Sequence, residues 1–284
     1  MYKLGFVILH YMSLEDTVEC IDSIQDHMDV KEYSIIVVDN RSPNESGIQL
    51  KKLYKDYERI TIILNQVNGG FSKGNNIGIS EARRQKCDFI VVLNNDTCMI
   101  QNNFAAYIFK EYEYSQFAVL GPQIITADGR NDSNPIGNET SHSIQMWKKG
   151  VQIAAKNYVK TLFHIDGVHF FKKSENKNPK PINGSKFRQE NVALHGCCWI
   201  FSPQYFKKYC GLEELTFMYG EETILALNCE KERLLMVYNP EYKLFHKEAV
   251  ATSFEKSTWK RKLLYRRRMM KAVWAIYKKL KNEV

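Results

Sequence analysis

Four short apolar, β-rich runs recur through the first hundred residues, separated by segments of helical periodicity, and this alternation limits the folds open to the chain. Leu4-Gly5-Phe6-Val7-Ile8-Leu9 has no helical spacing and reads as a buried parallel strand. From Ser13 onward, Val18, Ile21, Ile24 and Met28 fall at the spacing of an amphipathic helix, with Ser13 and Asp16 as an N-terminal cap region. A second strand is expected over residues 34–40, a helix over 48–57, a third strand over 60–64, a helix over 74–84 and a fourth strand over 88–93. The β-α-β-α-β-α-β order predicts an α/β fold whose mostly parallel central sheet carries helices on both faces. In such sheets ligands bind beyond the carboxyl ends of the strands.

The rest of the chain is less periodic. Residues 121–191 are rich in Asn, Ser, Gly and Lys, with a weak strand signal at Val168–Phe171, and are expected to form loops and a small mixed sheet. A short helix is expected over 202–209 and two strands over 234–238 and 243–245. From Ser257 the chain reads as one basic, amphipathic helix.

Charge separates this tail from the body. The net charge is +8, but residues 247–284 hold 12 Lys and Arg against 3 Asp and Glu, and the remainder holds 28 against 29. A neutral body argues against nucleic-acid binding. In the tail, Trp259, Leu263, Met270, Val273, Trp274, Tyr277 and Leu280 fall near helical spacing among Lys and Arg residues, which suits a helix lying on an anionic membrane. The alternatives are a terminal helix packed on the body and an oligomer contact. No apolar run approaches the roughly 18–20 residues of a membrane span, and the Leu4–Leu9 run lacks the flanks of a signal peptide. The seven cysteines (20, 87, 98, 197, 198, 210 and 229) include no Cys-x-x-Cys pair. They read as reduced, mostly buried thiols in a cytoplasmic protein, peripheral to the membrane through its tail, and a zinc site is not expected.

Three strand ends carry polar groups together: Asp39-Asn40, Asn68-Gly69-Gly70 and Asn94-Asn95-Asp96. Singly, each is what a turn requires; together on one sheet edge they favour a site, with glycines admitting a ligand and carboxylates or amides holding ribose or a metal-bound diphosphate. The blocks Val37-Val38-Asp39-Asn40-Arg41-Ser42, Asn68 to Gly78 (NGGFSKGNNIG) and Leu93-Asn94-Asn95-Asp96-Thr97 closely resemble family 2 glycosyltransferases, most of all the rhamnosyltransferase-like branch of bacterial polysaccharide synthesis. That resemblance covers residues 3–100 and 192–255 and implies the GT-A nucleotide-diphospho-sugar transferase fold. It divides the chain into a nucleotide-sugar-binding half (1–100), an acceptor-binding and catalytic half of the same domain (101–256) and a helical tail (257–284).

The resemblance also assigns roles. Asp39 falls where the family holds the nucleoside, Tyr11 at its nucleotide-contacting tyrosine, and Asn68, Gly70, Lys73, Asn75 and Asn94 among its donor contacts. Asn94-Asn95-Asp96 stands for the family's D-x-D motif, so Asp96 is implied to hold Mn2+ or Mg2+ on the donor diphosphate. In the second block, Gly196-Cys197-Cys198-Trp199-Ile200 precedes Phe217-Met218-Tyr219-Gly220-Glu221-Glu222 and His246. The family's catalytic base falls on Glu222, Glu221 beside it is implied to orient the acceptor or the helix start, and His246 completes the metal site. Trp199 is a candidate to stack on the acceptor sugar or to fill the core. Positions where the family carries an Asp and an Arg hold Ile224 and Asn228. His10, His142, His164, His169 and His195 have no partner spacing that assigns a role.

The expected activity is metal-dependent, inverting transfer of a sugar from a UDP- or dTDP-sugar to a saccharide acceptor, lipid-linked, in cell-surface polysaccharide assembly. Two alternatives stand beside it. A nucleotidyltransferase would need a Gly-rich, basic first βα turn, where His10-Tyr11-Met12 stands. A catalytically silent sugar-binding or scaffold subunit would suit Asn94, Ile224 and Asn228.

Overall fold

The computed structural model describes residues 2–127, 129, 134–136, 144–164, 185–247 and 258–282. Strands β1 (Leu4–His10), β2 (Tyr33–Asp39), β3 (Ile60–Leu64) and β4 (Phe89–Asn94) pair in parallel in the order β3-β2-β1-β4. Their apolar runs lack alternation because both faces are covered. Leu4, Phe6 and Ile8 of β1 pack with Cys20, Ile21 and Ile24 of α1 (Leu14–His27), Leu50 of α2 (Ser46–Leu53) and Phe104 and Ile108 of α4 (Phe104–Ser115). Val7, on the other face, packs with Ile79 and Ala82 of α3 (Gly70–Arg84). Each buried Val, Ile, Leu or Phe contributes about 1.5–3 kcal/mol of transfer free energy.

The sheet continues through the second half. Strand β8 (Cys198–Phe201) pairs antiparallel with β4 and with β6 (Val119–Thr126), which runs parallel to β9 (Met236–His246). Strand β9 pairs antiparallel with β5 (Thr97–Met99) and with the two-residue β7 (Gln189–Glu190). The ends of β1, β2, β3, β4 and β9 and the start of β8 therefore meet on one edge. Helices α6 (Pro203–Phe206) and α7 (Glu221–Lys231) cover the α3 face through Tyr205, Leu225 and Cys229. Helix α5 (Ile144–Leu162) packs against α8 (Trp259–Asn282).

Several expectations are corrected. Helix α2 stops at Leu53 rather than 57, because Tyr54–Tyr57 turns into β3, with the amide of Tyr57 donating to the Tyr54 carbonyl (3.2 Å). Helix α3 starts at Gly70, not Gly74. Its first turn is capped from outside: Gly69 N–H donates to Asn40 Oδ1 and Gly70 N–H to Asn68 Oδ1, both at 3.0 Å. The two late strands are one, β9, with a register shift where Pro122-Gln123 pairs with it. The middle adds β6 to the main sheet and contains the unexpected α5. That helix carries Ile144, Trp147, Val151, Tyr158 and Leu162 at helical spacing, a signal the expectation of loops passed over, and of its residues only Thr161 is buried. Val168–Phe171, His142, His169 and Ser257 lie outside the described residues. None of the seven cysteines is in a disulfide, and only Cys210 is exposed.

Candidate active site

At the carboxyl ends of β1 and β2, the register pairs His10 with Asp39. The Asp39 carboxylate is buried and accepts from the Ser42 amide (3.1 Å) and hydroxyl (2.5 Å). Gly47 is needed beside it, since a Cβ there would lie 2.3 Å from the Asp39 carboxyl carbon. His10, fully buried, bonds Thr17 Oγ1 and Ser46 Oγ at 2.7 Å each and stands 4.0 Å from Asp39. Burial lowers its pKa, and Asp39 opposes that fall. Tyr11 follows directly and is exposed.

Asn40 links this end to the glycine turn. Its Nδ2 donates to the Gly70 carbonyl (3.0 Å) while its Oδ1 receives the Gly69 amide. Asn68 and Lys73 are exposed beside that turn. Asn75, expected among the donor contacts, is instead completely buried inside α3 and donates to the Phe71 carbonyl (3.1 Å), so it has no face open to a ligand.

Asp96 and His246 are brought together by the pairing of β5 with β9, which sets Thr97 opposite His246. Asp96 Oδ1 lies 3.2 Å from His246 Nε2. That is a hydrogen-bond distance, and it is also the spacing of two neighbouring ligands on an octahedral cation with ~2.1 Å bonds, about 3 Å. Among the described residues, the buried Nδ1 of His246 has no hydrogen-bond partner. His195, given no role from sequence, also arrives here: ligand-capable atoms of His195, Cys197 and His246 lie within 4.8 Å of one another. No local spacing signals this, because 51 residues separate His195 from His246. Asn94 is half-buried; its amide donates to the Cys197 carbonyl (3.0 Å), joining β4 to the Gly196-Cys197 turn.

The acid pair opens α7, behind Gly220, whose φ of 87° suits glycine. The two carboxylates have different surroundings. Glu222 is half-buried, and a Cβ on Gly196 would meet its Oε1 at 3.0 Å, so it abuts the turn at the ligand edge. Glu221 is buried and lines a crevice of about 10 Å³ with Ser72, Tyr205, Leu212, Glu213 and Asn228. Desolvation pushes its pKa up to about 7 and the neighbouring Glu222 adds to this, against the Glu221 and Tyr219 amides that favour the ionised form. Glu221 opens α7, one of the two roles expected for it. Trp199 is corrected: it is fully buried, donates to the Leu194 carbonyl (3.2 Å) and packs edge-on against Phe71, leaving no face for a sugar. Ile224 and Asn228 serve packing. Ile224 joins Leu227 and Ile276 in a buried cluster, and Asn228 donates to Glu213 (2.9 Å).

The loop before the acids is held from both sides. The Phe217 carbonyl accepts from the Phe71 amide (2.9 Å), and a Cβ on Gly70 would sit 1.9 Å from that carbonyl oxygen. From behind, Arg268 of α8 lies over the Phe217 ring (4.8 Å), Tyr265 meets Tyr219 edge-on, and Ile276 fills the space beside Gly220. Lys279 binds Glu213 at 2.9 Å.

The model of the family described as "Glycosyl transferase family 2" matches residues 6–210. No curated protein matches the sequence. Among solved structures, the chain is similar to S. aureus TarS 1-349 (TM-score 0.52, 13% identity, covering 86% of this chain and 60% of that one). It is similar to the same protein in complex with UDP (TM-score 0.53, 12% identity, 93% and 65%) and to S. aureus TarS (TM-score 0.53, 13% identity, 89% and 38%). At these identities the likeness is one of fold, and it is the GT-A kind of fold that the sequence resemblance implied. The chain spans about 60% of the length of the first of these proteins.

Proposed function

The chain belongs to glycosyl transferase family 2, and from that premise we propose that it moves a sugar, with inversion, from a UDP- or dTDP-sugar to a hydroxyl of a lipid-linked saccharide in cell-surface polysaccharide assembly. The observation that carries this reading is the half-buried Glu222 carboxylate against the Gly196 turn, on the same sheet edge as Asp39 and the Asp96–His246 pair. Asp39 and Tyr11 hold the nucleoside. Asp96 and His246 would hold Mn2+ or Mg2+, which when bound neutralises charge on the diphosphate leaving group. The acceptor oxygen attacks the anomeric carbon from the side opposite the diphosphate and gives its proton to Glu222, while the bond from the anomeric carbon to the diphosphate oxygen breaks. A lipid-linked acceptor puts the enzyme at the inner face of the membrane, and the cations of α8 suit that position.

The test is Glu222→Gln, which keeps size and hydrogen bonding but cannot take the proton. Expected are unchanged donor affinity by calorimetry and turnover lower by about 10²–10⁴-fold. Transfer at the parent rate would reject Glu222 as the base.

A further inference from the structure

The cations of this protein are concentrated on two helices that pack against each other. Helix α5 carries four Lys and α8 carries ten Lys and Arg, and neither has an Asp or Glu. Part of α8 is committed to the fold: Ala272 and Ile276 are buried, Arg268 lies on Phe217 and Lys279 is paired with Glu213. Most of the residues it leaves exposed form a stripe at alternating spacings of four and three: Lys260, Leu264, Arg267, Lys271, Trp274 and Lys278. The exposed residues of α5 mix in the same way, with Ile153 (60% exposed) and Val159 among Lys148, Lys149 and Lys156, and Phe163 (64%) just beyond the helix end.

We propose that α5 and α8 together form a surface that docks on an anionic lipid bilayer, α5 contributing as much to it as the terminal helix. Two features select this partner. The exposed cations of the stripe, Lys260, Arg267, Lys271 and Lys278, call for an anionic surface. Large apolar side chains on the same stripes call for a partner with an apolar layer beneath its charged one, which a bilayer has and a nucleic acid backbone does not. Trp274 fits that boundary, with its ring 5.6 Å from the Lys278 ammonium. Among the described residues no helix is long and apolar enough to cross a membrane, so the helices lie on the surface. The proposal rests on the reading of a membrane-side acceptor and extends it to a face made by two elements.

The experiment is sedimentation with phosphatidylcholine vesicles, with and without phosphatidylglycerol, at low and high salt, with UDP calorimetry to show that each variant is folded. The parent is expected to bind only the phosphatidylglycerol vesicles and to be released by salt. The combined variant Arg267→Glu/Lys271→Glu/Lys278→Glu is expected to lose binding by about 100-fold or more, given the strength of each Lys or Arg near such a surface. Ile153→Ser/Phe163→Ser is expected to lose about tenfold or more, since each removes several buried carbons. A parent that ignores phosphatidylglycerol vesicles at low salt, or binds both kinds equally, overturns the proposal. So does a folded charge-reversal variant that binds as the parent does, and parent-like binding by the α5 variant overturns the two-helix surface. Donor turnover without vesicles reports separately on the transferase reading: vesicle binding without turnover fails that reading and leaves this one, and turnover without vesicle binding does the reverse.

Discussion

Burying a carboxyl group at the start of α7 makes the stability of this protein depend on pH through one residue, Glu221. Its carboxyl is held at about 7 in the fold against 4.5 for an ordinary glutamate, chiefly by desolvation. Below about pH 4.5 the folded and unfolded states are both protonated and Glu221 is neutral in the balance. Between 4.5 and 7 the unfolded chain releases the proton while the fold keeps it, so stability falls as pH rises. Above 7 the fold carries the full cost of a buried charge, about 3 kcal/mol at 1.36 kcal/mol per pH unit. For a chain of this size that is about 5–7 °C in melting temperature. Glu221→Gln cannot ionise. Its amide sits where Glu221 Oε1 is buried without a hydrogen-bond partner, a cost that is the same at every pH. The prediction therefore concerns a slope. Thermal unfolding of the nucleotide-free protein should show the variant gaining on the parent by about 4–5 °C between pH 5 and pH 8.5, since somewhat under 1 kcal/mol of the cost is already present at pH 5. An equal gap between the two at both pH values would refute the assignment of a near-neutral carboxyl to Glu221.

Gly70→Ala should lower turnover at least tenfold in a transfer assay while UDP still binds in calorimetry, because a Cβ at φ +80° is strained and meets the Phe217 carbonyl at 1.9 Å, displacing the loop before the acids. Asp39→Ala should weaken nucleoside diphosphate binding by about 10–100-fold with or without manganese, as loss of a charged hydrogen-bonding group does. Asp96→Ala should leave metal-free binding as in the parent and abolish the gain that manganese gives, read in the same calorimeter.

The first hundred residues were legible because their signals are local. Leu4–Leu9, residues 34–40 and 60–64 are continuous apolar runs ended by polar turns, and a buried parallel strand leaves that trace whatever surrounds it. The position of α3 was misread because its first turn is capped by Asn40 and Asn68 from outside, so the Gly-Gly pair resembled a loop. Asn75 and Trp199 show a different limit. Residue type says what a side chain can do, but which way it points depends on neighbours distant in sequence: Phe71 packs on Trp199 across more than a hundred residues. The division of labour between Glu221 and Glu222 was also out of reach, since adjacent identical residues differ only in which face of α7 they occupy. His195 came to the site through tertiary pairing alone. Of the alternatives open for the tail, packing on the body is the one that Ile276 beside Gly220 supports, and the sequence could not choose it because apolar residues of the inner and outer faces look alike.

The pairing of Thr97 with His246 spans about half the chain, whereas β1, β2, β3 and β4 all come from the first hundred residues. Contacts of such long sequence separation carry the largest loop-closure cost and slow the step that makes them. The Asp39 end of the sheet edge is built within the first hundred residues, whereas the Asp96–His246 pair exists only where β9 has joined β5. On the roles proposed above, cation-dependent nucleotide binding would report closure of the far edge of the sheet, and nucleotide binding without the cation would not.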